Sequence, residues 1–301
     1  MRRIGSLELV SRTVVDGLLA GRHRSNTKGG CSEFAGHRPY SIGDEVRAID
    51  WQVYARNDRY VVRQFDEETN LHAMIAIDAS GSMGFGLSTI SKLDYAARAA
   101  ACLARLLLHQ RDAVGLAVLH PKAARLVPSG QHAAHLRAIL GTLAKLQPSA
   151  PDDGLFSLGG PIRQCVARQR RRGLFVLLTD GFGETGDPAD LIAALRTVRA
   201  RGQDVLVLHT LAPEELSFDF RHWSAFTPLE GGPQLAVDPP AVRRRYLEQM
   251  QAFVDTIERQ VVGLGGDYVR LTTATDLGEA LAWVLRSRKM QLARPAVRGA
   301  S

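Results

Sequence analysis

Two short segments carry the side chains best suited to chemistry. The first is Ile75-Ala76-Ile77-Asp78-Ala79-Ser80-Gly81-Ser82-Met83-Gly84, and the second is Leu177-Leu178-Thr179-Asp180-Gly181. Each is an apolar run that stops at an aspartate and passes into small, flexible residues. Asp78, Ser80 and Ser82 stand at alternate positions, so one turn can point all three the same way. If the two runs are neighbouring strands, Asp78, Ser80, Ser82 and Asp180 converge. That is a set of hard oxygen donors, which suits Mg²⁺, or alternatively Mn²⁺ or Ca²⁺. Neutral hydroxyls leave such an ion under-neutralised, and an acidic group from another molecule can then complete its shell. A plain polar turn would need the same small residues; the second strand ending in Asp-Gly is what favours the ion.

The surrounding pattern says how these segments are held. Leu71 to Ile77 reads as a buried strand. A helix follows at about 92–110, with Leu93, Ala96, Ala97, Ala100, Leu103, Ala104 and Leu107 spaced three and four apart. It is apolar nearly all round, which predicts deep packing. Ala113 to Leu119 and Gly173 to Thr179 read as further strands, with a short hairpin strand at Ala124 to Val127. Asp204 to Leu211 and Asp267 to Leu271 complete the strands of this region. Helical patterns fall at about 131–146, 159–170, 187–201, 240–262 and 275–287, and residues 212–239 are irregular. Alternating apolar strands and helices predict an α/β fold with a doubly wound, mostly parallel sheet covered on both faces. Ligands of such sheets bind beyond the carboxyl ends of the strands, where both aspartates fall.

Residues 1–24 have a helical, amphipathic pattern, and 25–70 read as turns and short strands such as Tyr60 to Phe65. The expected organisation is an N-terminal helix and arm packed on the sheet (1–70), the α/β domain (71–288) and a basic, disordered tail (289–301). The chain of 301 residues is 45% hydrophobic, enough for a large core. Its formal charge of +7 invites acidic partners. The arginines are spread along the chain, however, and their densest cluster, Arg168 to Arg172, precedes a strand. Nucleic acid is therefore not an expected partner. Cys31, Cys102 and Cys165 lie far apart and form no metal or disulfide framework, which points to reduced thiols in the cytoplasm. No apolar run approaches the roughly 18 residues that would mark a membrane span.

The upstream segment carries a further signature: Glu33-Phe34, Arg38-Pro39-Tyr40-Ser41-Ile42-Gly43-Asp44-Glu45-Val46-Arg47-Ala48-Ile49-Asp50-Trp51, then Ala55-Arg56. With Lys92-Leu93-Asp94-Tyr95-Ala96 and Gly115-Leu116, it resembles the bacterial domain of unknown function 58 family, from about residue 20 to 285. The Asp78 loop resembles the metal-ion-dependent adhesion site of von Willebrand factor A domains. The resemblance implies a von Willebrand factor A-like fold with an irregular N-terminal arm. It also implies a third loop, at Pro151 to Ser157, where such sites usually place a threonine; Asp153 or Ser157 stands there instead. The implied partners are a MoxR-type AAA+ ATPase and a client protein that the pair matures or remodels. Arg38, Tyr40, Asp44, Arg47, Asp50, Trp51 and Arg56 then either tie the arm down through Arg–Asp pairs or form a docking surface for the partner.

Catalysis is not expected. A phosphatase using Asp78 as nucleophile, the alternative metal-dependent hydrolase, needs a second carboxylate two residues on, and that position is Ser80. Gly81-Ser82-Met83-Gly84 is not the nucleophile turn of a serine hydrolase. Lys28-Gly29-Gly30 has the wrong order for a phosphate-binding loop.

Overall fold

The structure, a computed structural model, describes residues 2–24, 34–41, 49–65, 71–88, 90–120, 123–149, 157–169, 171–183, 188–220, 224–227, 229 and 234–292. In chain order the elements are α1 (Arg2–Arg24), β1 (Phe34–Pro39), α2 (Trp51–Asn57), β2 (Val61–Phe65), β3 (His72–Asp78), α3 (Lys92–His109), β4 (Ala113–Leu119), β5 (Ala124–Gly130) and α4 (Ala133–Leu143). They continue with α5 (Gly159–Ala167), β6 (Gly173–Thr179), α6 (Ala189–Ala200), β7 (Gln203–Leu211), α7 (Pro213–Ser217), β8 (Ser224–Phe226), β9 (Leu235–Val237), α8 (Pro239–Gly263), β10 (Asp267–Thr272) and α9 (Leu277–Leu292). The chain forms two compact units, Met1–Leu19 with Leu71–Ser301, and Ala20–Asn70.

The larger unit is built on a six-stranded sheet in the order β10-β7-β6-β3-β4-β5. Five strands are parallel, and β5 runs antiparallel along the β4 edge. This is the doubly wound, mostly parallel architecture that the sequence predicts. Its strands are apolar on both sides because both sides are covered. Ile75, Ile77, Val176, Leu178, Leu206 and Leu208 face one core with residues of α1, α3, α4 and α9. Met74, Ala76, Phe175, Leu177, Val205 and Val207 face the other with residues of α5, α6 and α8. The alanines of α3 are the closest-fitting part: Ala96, Ala99, Ala100, Ala101 and Ala104 are all fully buried. Small side chains let this helix lie flat on the sheet, and its register fixes where its first residue, Lys92, enters the structure.

In the smaller unit β1 and β2 pair antiparallel. Asp50 caps α2 by accepting hydrogen bonds from the Gln52 and Val53 amides, at 3.0 and 3.3 Å. The Tyr54 and Tyr60 rings stack with centroids 4.5 Å apart, and Trp51 meets Tyr54 edge-on. Where the sequence suggests only turns and short strands, the chain therefore folds a helix of seven residues, too short to show a period. For the same reason the irregular stretch 212–239 conceals α7 and the small β8–β9 hairpin. Helix α9 runs on to Leu292, past the expected end, and the remainder of the expected tail lies outside the described residues.

Candidate functional site

The register of the central strands brings the two aspartates to one place. Ile77 of β3 pairs with Leu178 of β6, so Asp78 and Thr179-Asp180 leave the sheet side by side at its carboxyl edge. Asp78 turns back on its own chain, with Oδ1 accepting from the Ser80 amide at 2.9 Å. That turn places the Ser80 and Ser82 hydroxyls 3.1 Å apart. Thr179 joins the strands by donating its hydroxyl to Asp78 Oδ2 at 2.6 Å, while accepting from the Gly181 amide at 2.9 Å. Gly181 has a φ of 71°, and a Cβ there would press on Ile257 Cδ1, so the position favours glycine. Asp180 Oδ1 accepts from the Phe182 amide at 3.1 Å.

The floor of the site is buried, and its rim is partly open to solvent. Asp78, Ser80, Asp180 and Lys92 are all fully buried, and Ser82 is half-buried at the rim. Burial, reinforced by the neighbouring Asp180 charge, pushes the Asp78 carboxyl up to about 7 against its Thr179 and Ser80 hydrogen bonds. Lys92 answers part of this acidity. Its Nζ lies 2.8 Å from Asp180 Oδ2 and also hydrogen-bonds Glu215 of α7. Burial alone would lower the ammonium, but the two carboxylates outweigh it and raise its pKa. Burial likewise raises Glu215, against the Lys92 charge. On the far side His209 is buried and held down to about 4 by desolvation, so its ring is neutral. Its Nε2 is 2.7 Å from the Asp180 carbonyl, which can only accept. Nε2 therefore carries the proton, and Nδ1 accepts from the Tyr268 hydroxyl at 2.7 Å.

The donor set suits a small, oxygen-preferring divalent ion. Metal–oxygen bonds of about 2.1 Å in an octahedron make an edge of about 3.0 Å, and the two serine hydroxyls stand at that separation; the same spacing also makes an ordinary hydrogen bond. With all three carboxylates ionised, buried Asp78 and Asp180 and half-buried Glu215 against one ammonium leave two negative charges for a divalent ion to balance. Among the described residues no three His, Cys, Asp or Glu side chains gather into a cation cage, so an ion here depends on hydroxyls and on groups from outside.

Asp78, Ser80, Ser82 and Asp180 thus come together, whereas Ser157, the one described residue of the expected third loop, pairs elsewhere. Ser157, just ahead of α5, donates its hydroxyl to Asp190 of α6, and the Gly159 amide donates to the same carboxylate at 2.9 Å. Asp153 lies outside the described residues. The segment that flanks the Asp78 loop is Ser149, whose amide donates to the Ala79 carbonyl at 2.9 Å. In the arm, Asp50 is the α2 cap, Tyr40 is half-buried beside Tyr60, Trp51 and Arg56 are exposed, and Arg38 lies on β1. Asp44 and Arg47 lie outside the described residues.

Sequence reasoning missed Lys92, Glu215, Thr179 and His209. A signal existed for Lys92, which opens an otherwise apolar helix at the end where the dipole disfavours a cation. Glu215 sits in a five-residue helix and had none.

Five parallel strands, one antiparallel edge, helices on both faces and a polar loop ending the central β3 define a von Willebrand factor A-like domain. The chain belongs to the family described as protein of unknown function DUF58, which matches residues 36–254. The uncharacterized protein Rv1480 of Mycobacterium tuberculosis is 29% identical over 291 residues, covering 96% of this chain and 90% of that protein. Among solved structures, BatB from Bacteroides thetaiotaomicron is similar at a TM-score of 0.44 and 17% identity, over 73% of this chain and 99% of that one. The SpRpn10 VWA domain is similar at 0.39 and 10% identity, over 77% and 100%. Among the described residues no helix is long and apolar enough to cross a membrane.

Proposed function

We propose that this chain is a non-catalytic protein-binding module of the cytoplasm in which Asp78, Ser80, Ser82 and Asp180 hold Mg²⁺, or Mn²⁺ or Ca²⁺. The observation that carries the reading is the convergence of two buried carboxylates and two hydroxyls at the carboxyl edge of adjacent parallel strands. A bound divalent ion would supply positive charge and open positions for a partner's carboxylate. The chain's own residues do the positioning. Thr179 and the Ser80 amide orient Asp78, the Phe182 amide orients Asp180, and half-buried Ser82 gives the site its rim. In the loop that follows, Leu87 is 63% exposed and offers a partner an apolar contact.

Absence of catalysis is supported by the same geometry. Both oxygens of the buried Asp78 accept hydrogen bonds, which leaves it poorly placed as a nucleophile, and Ser80 stands where a phosphatase needs its acid. The partner we propose is a MoxR-type AAA+ ATPase, acting with this chain on a client protein; that part rests on the family resemblance alone.

Thermal melts test the ion. An ion at one to ten times its Kd should stabilise the protein by about 0.4–1.4 kcal/mol, or about 1–5 °C. The shift should vanish in Asp78→Asn, which keeps the shape of the side chain. Equal shifts in both proteins would remove the ion from this loop. Pull-downs of the MoxR-type ATPase with Mg²⁺ and with chelator test the partner, and equal recovery would detach the ion from the interface.

A further inference from the structure

Lys92 is the group in this site that ion binding by carboxylates and hydroxyls does not call for. It is a lysine with no exposed surface, placed at the first position of α3 where the helix dipole is positive. Burying an ammonium there is costly, and the structure invests heavily in it. Its Nζ is 2.8 Å from Asp180 Oδ2, hydrogen-bonded to Glu215, and 5.8 and 5.0 Å from the ring centres of Phe85 and Phe182. Both aromatic contacts fall within cation–π range. Glu215 in turn is fixed by the Ala212 amide, which it accepts at 2.7 Å. Lys92 and Glu215 cancel each other in formal charge, yet both lie within the electrostatic reach of Asp180, a residue of the ion site.

We propose that Lys92 and Glu215 form a built-in charge pair that sets how tightly the Asp78–Asp180 site holds a divalent cation. Lys92 is the affinity-determining residue, a tethered cation that shares Asp180 with the ion. This rests on the ion-binding reading above. The pair leaves the net charge of the site at minus two, because two carboxylates remain uncancelled. Loss of Lys92 alone makes it minus three, loss of the Glu215 charge alone makes it minus one, and loss of both restores minus two. Affinity should follow that alternation, whereas a merely structural brace would not.

The test is Mn²⁺ titration of the full-length, metal-free protein by electron paramagnetic resonance at pH 8, with circular dichroism to confirm folding. Glu215→Gln should bind Mn²⁺ at least about tenfold more weakly than wild type, and Lys92→Met at least about tenfold more tightly. The double variant should return to within about threefold of wild type, a coupling that independent sites do not show. Should Lys92→Met not fold, the comparison of Glu215→Gln with the double variant decides, and the added Lys92→Met must tighten binding. If all three variants weaken binding, or all bind as wild type does while Asp78→Asn does not bind, the charge-pair role is overturned and the ion site stands. If folded wild type takes up no Mn²⁺, the ion reading itself falls and this inference falls with it.

Discussion

Replacing Asp78 by asparagine should make the metal-free protein more stable at alkaline pH, and the size of the gain follows from the burial of the carboxylate. The Asp78 carboxyl is pushed up to about 7 in the fold, against an ordinary value of 3.8. A carboxyl with a higher pKa in the folded chain binds more protons there than in the unfolded chain. It favours the fold below the ordinary value, and that contribution is lost as pH rises through the folded value. Between about pH 4 and 7 the loss amounts to about 1.4 kcal/mol per pH unit, on the order of 4 kcal/mol by pH 8. Asparagine stays neutral throughout. Its carbonyl can accept from the Ser80 amide as Asp78 does, but the Thr179 hydroxyl loses its acceptor, at about 1 kcal/mol. Asp78→Asn should therefore match wild type near pH 5 and exceed it by about 3 kcal/mol at pH 8. His209 titrates with the opposite slope, because its folded value is depressed to about 4, but both proteins carry it and it cancels in the difference. Urea denaturation in chelator from pH 5 to 8 measures that difference. A constant gap, or a wild type that gains on the variant as pH rises, would refute the reasoning.

One further substitution and one chemical modification probe the scaffold. A Cβ at Gly173 would sit 1.9 Å from the His72 carbonyl oxygen, so Gly173→Ala should force β3 and β6 apart and cost more than about 3 kcal/mol in chemical denaturation. Near-wild-type stability would mean that the strands can separate at that end. Cys102 and Cys165 are buried, and burial pushes both thiols up to about 12. Both should resist a disulfide-exchange reagent in the folded protein and react on unfolding, as followed by mass spectrometry; fast native labelling of either would contradict the packing.

The sheet was legible because its strands state their burial openly. Ala113–Leu119 and Gly173–Thr179 are continuous apolar runs, and the sequence marks both to the residue. The Asp78 and Asp180 pair was legible for a related reason, since parallel strands present their carboxyl ends to a common edge. What stayed hidden depends on contacts between residues far apart in sequence. Glu215 joins Lys92 across 123 residues, and no local pattern announces such a partner. Ser157 could be placed in a loop after α4, but not its preference for Asp190 of α6. Short elements such as α2 and α7 escaped because five to seven residues hold too few turns for a period to emerge.

The central pairing of the sheet also has a consequence in time. Asp78 and Thr179 meet across 101 residues of chain. At a synthesis rate of about 5–20 residues per second, β3 waits about 5–20 s for the strand that covers its inner edge. During that interval β4 can shield only one side, leaving an apolar strand with an open hydrogen-bonding edge and an acidic loop at its tip. The stretch from 80 to 173 is thus the vulnerable window of this chain's birth on the ribosome. Slow translation there should raise aggregation of the nascent protein without altering a single residue of the finished one.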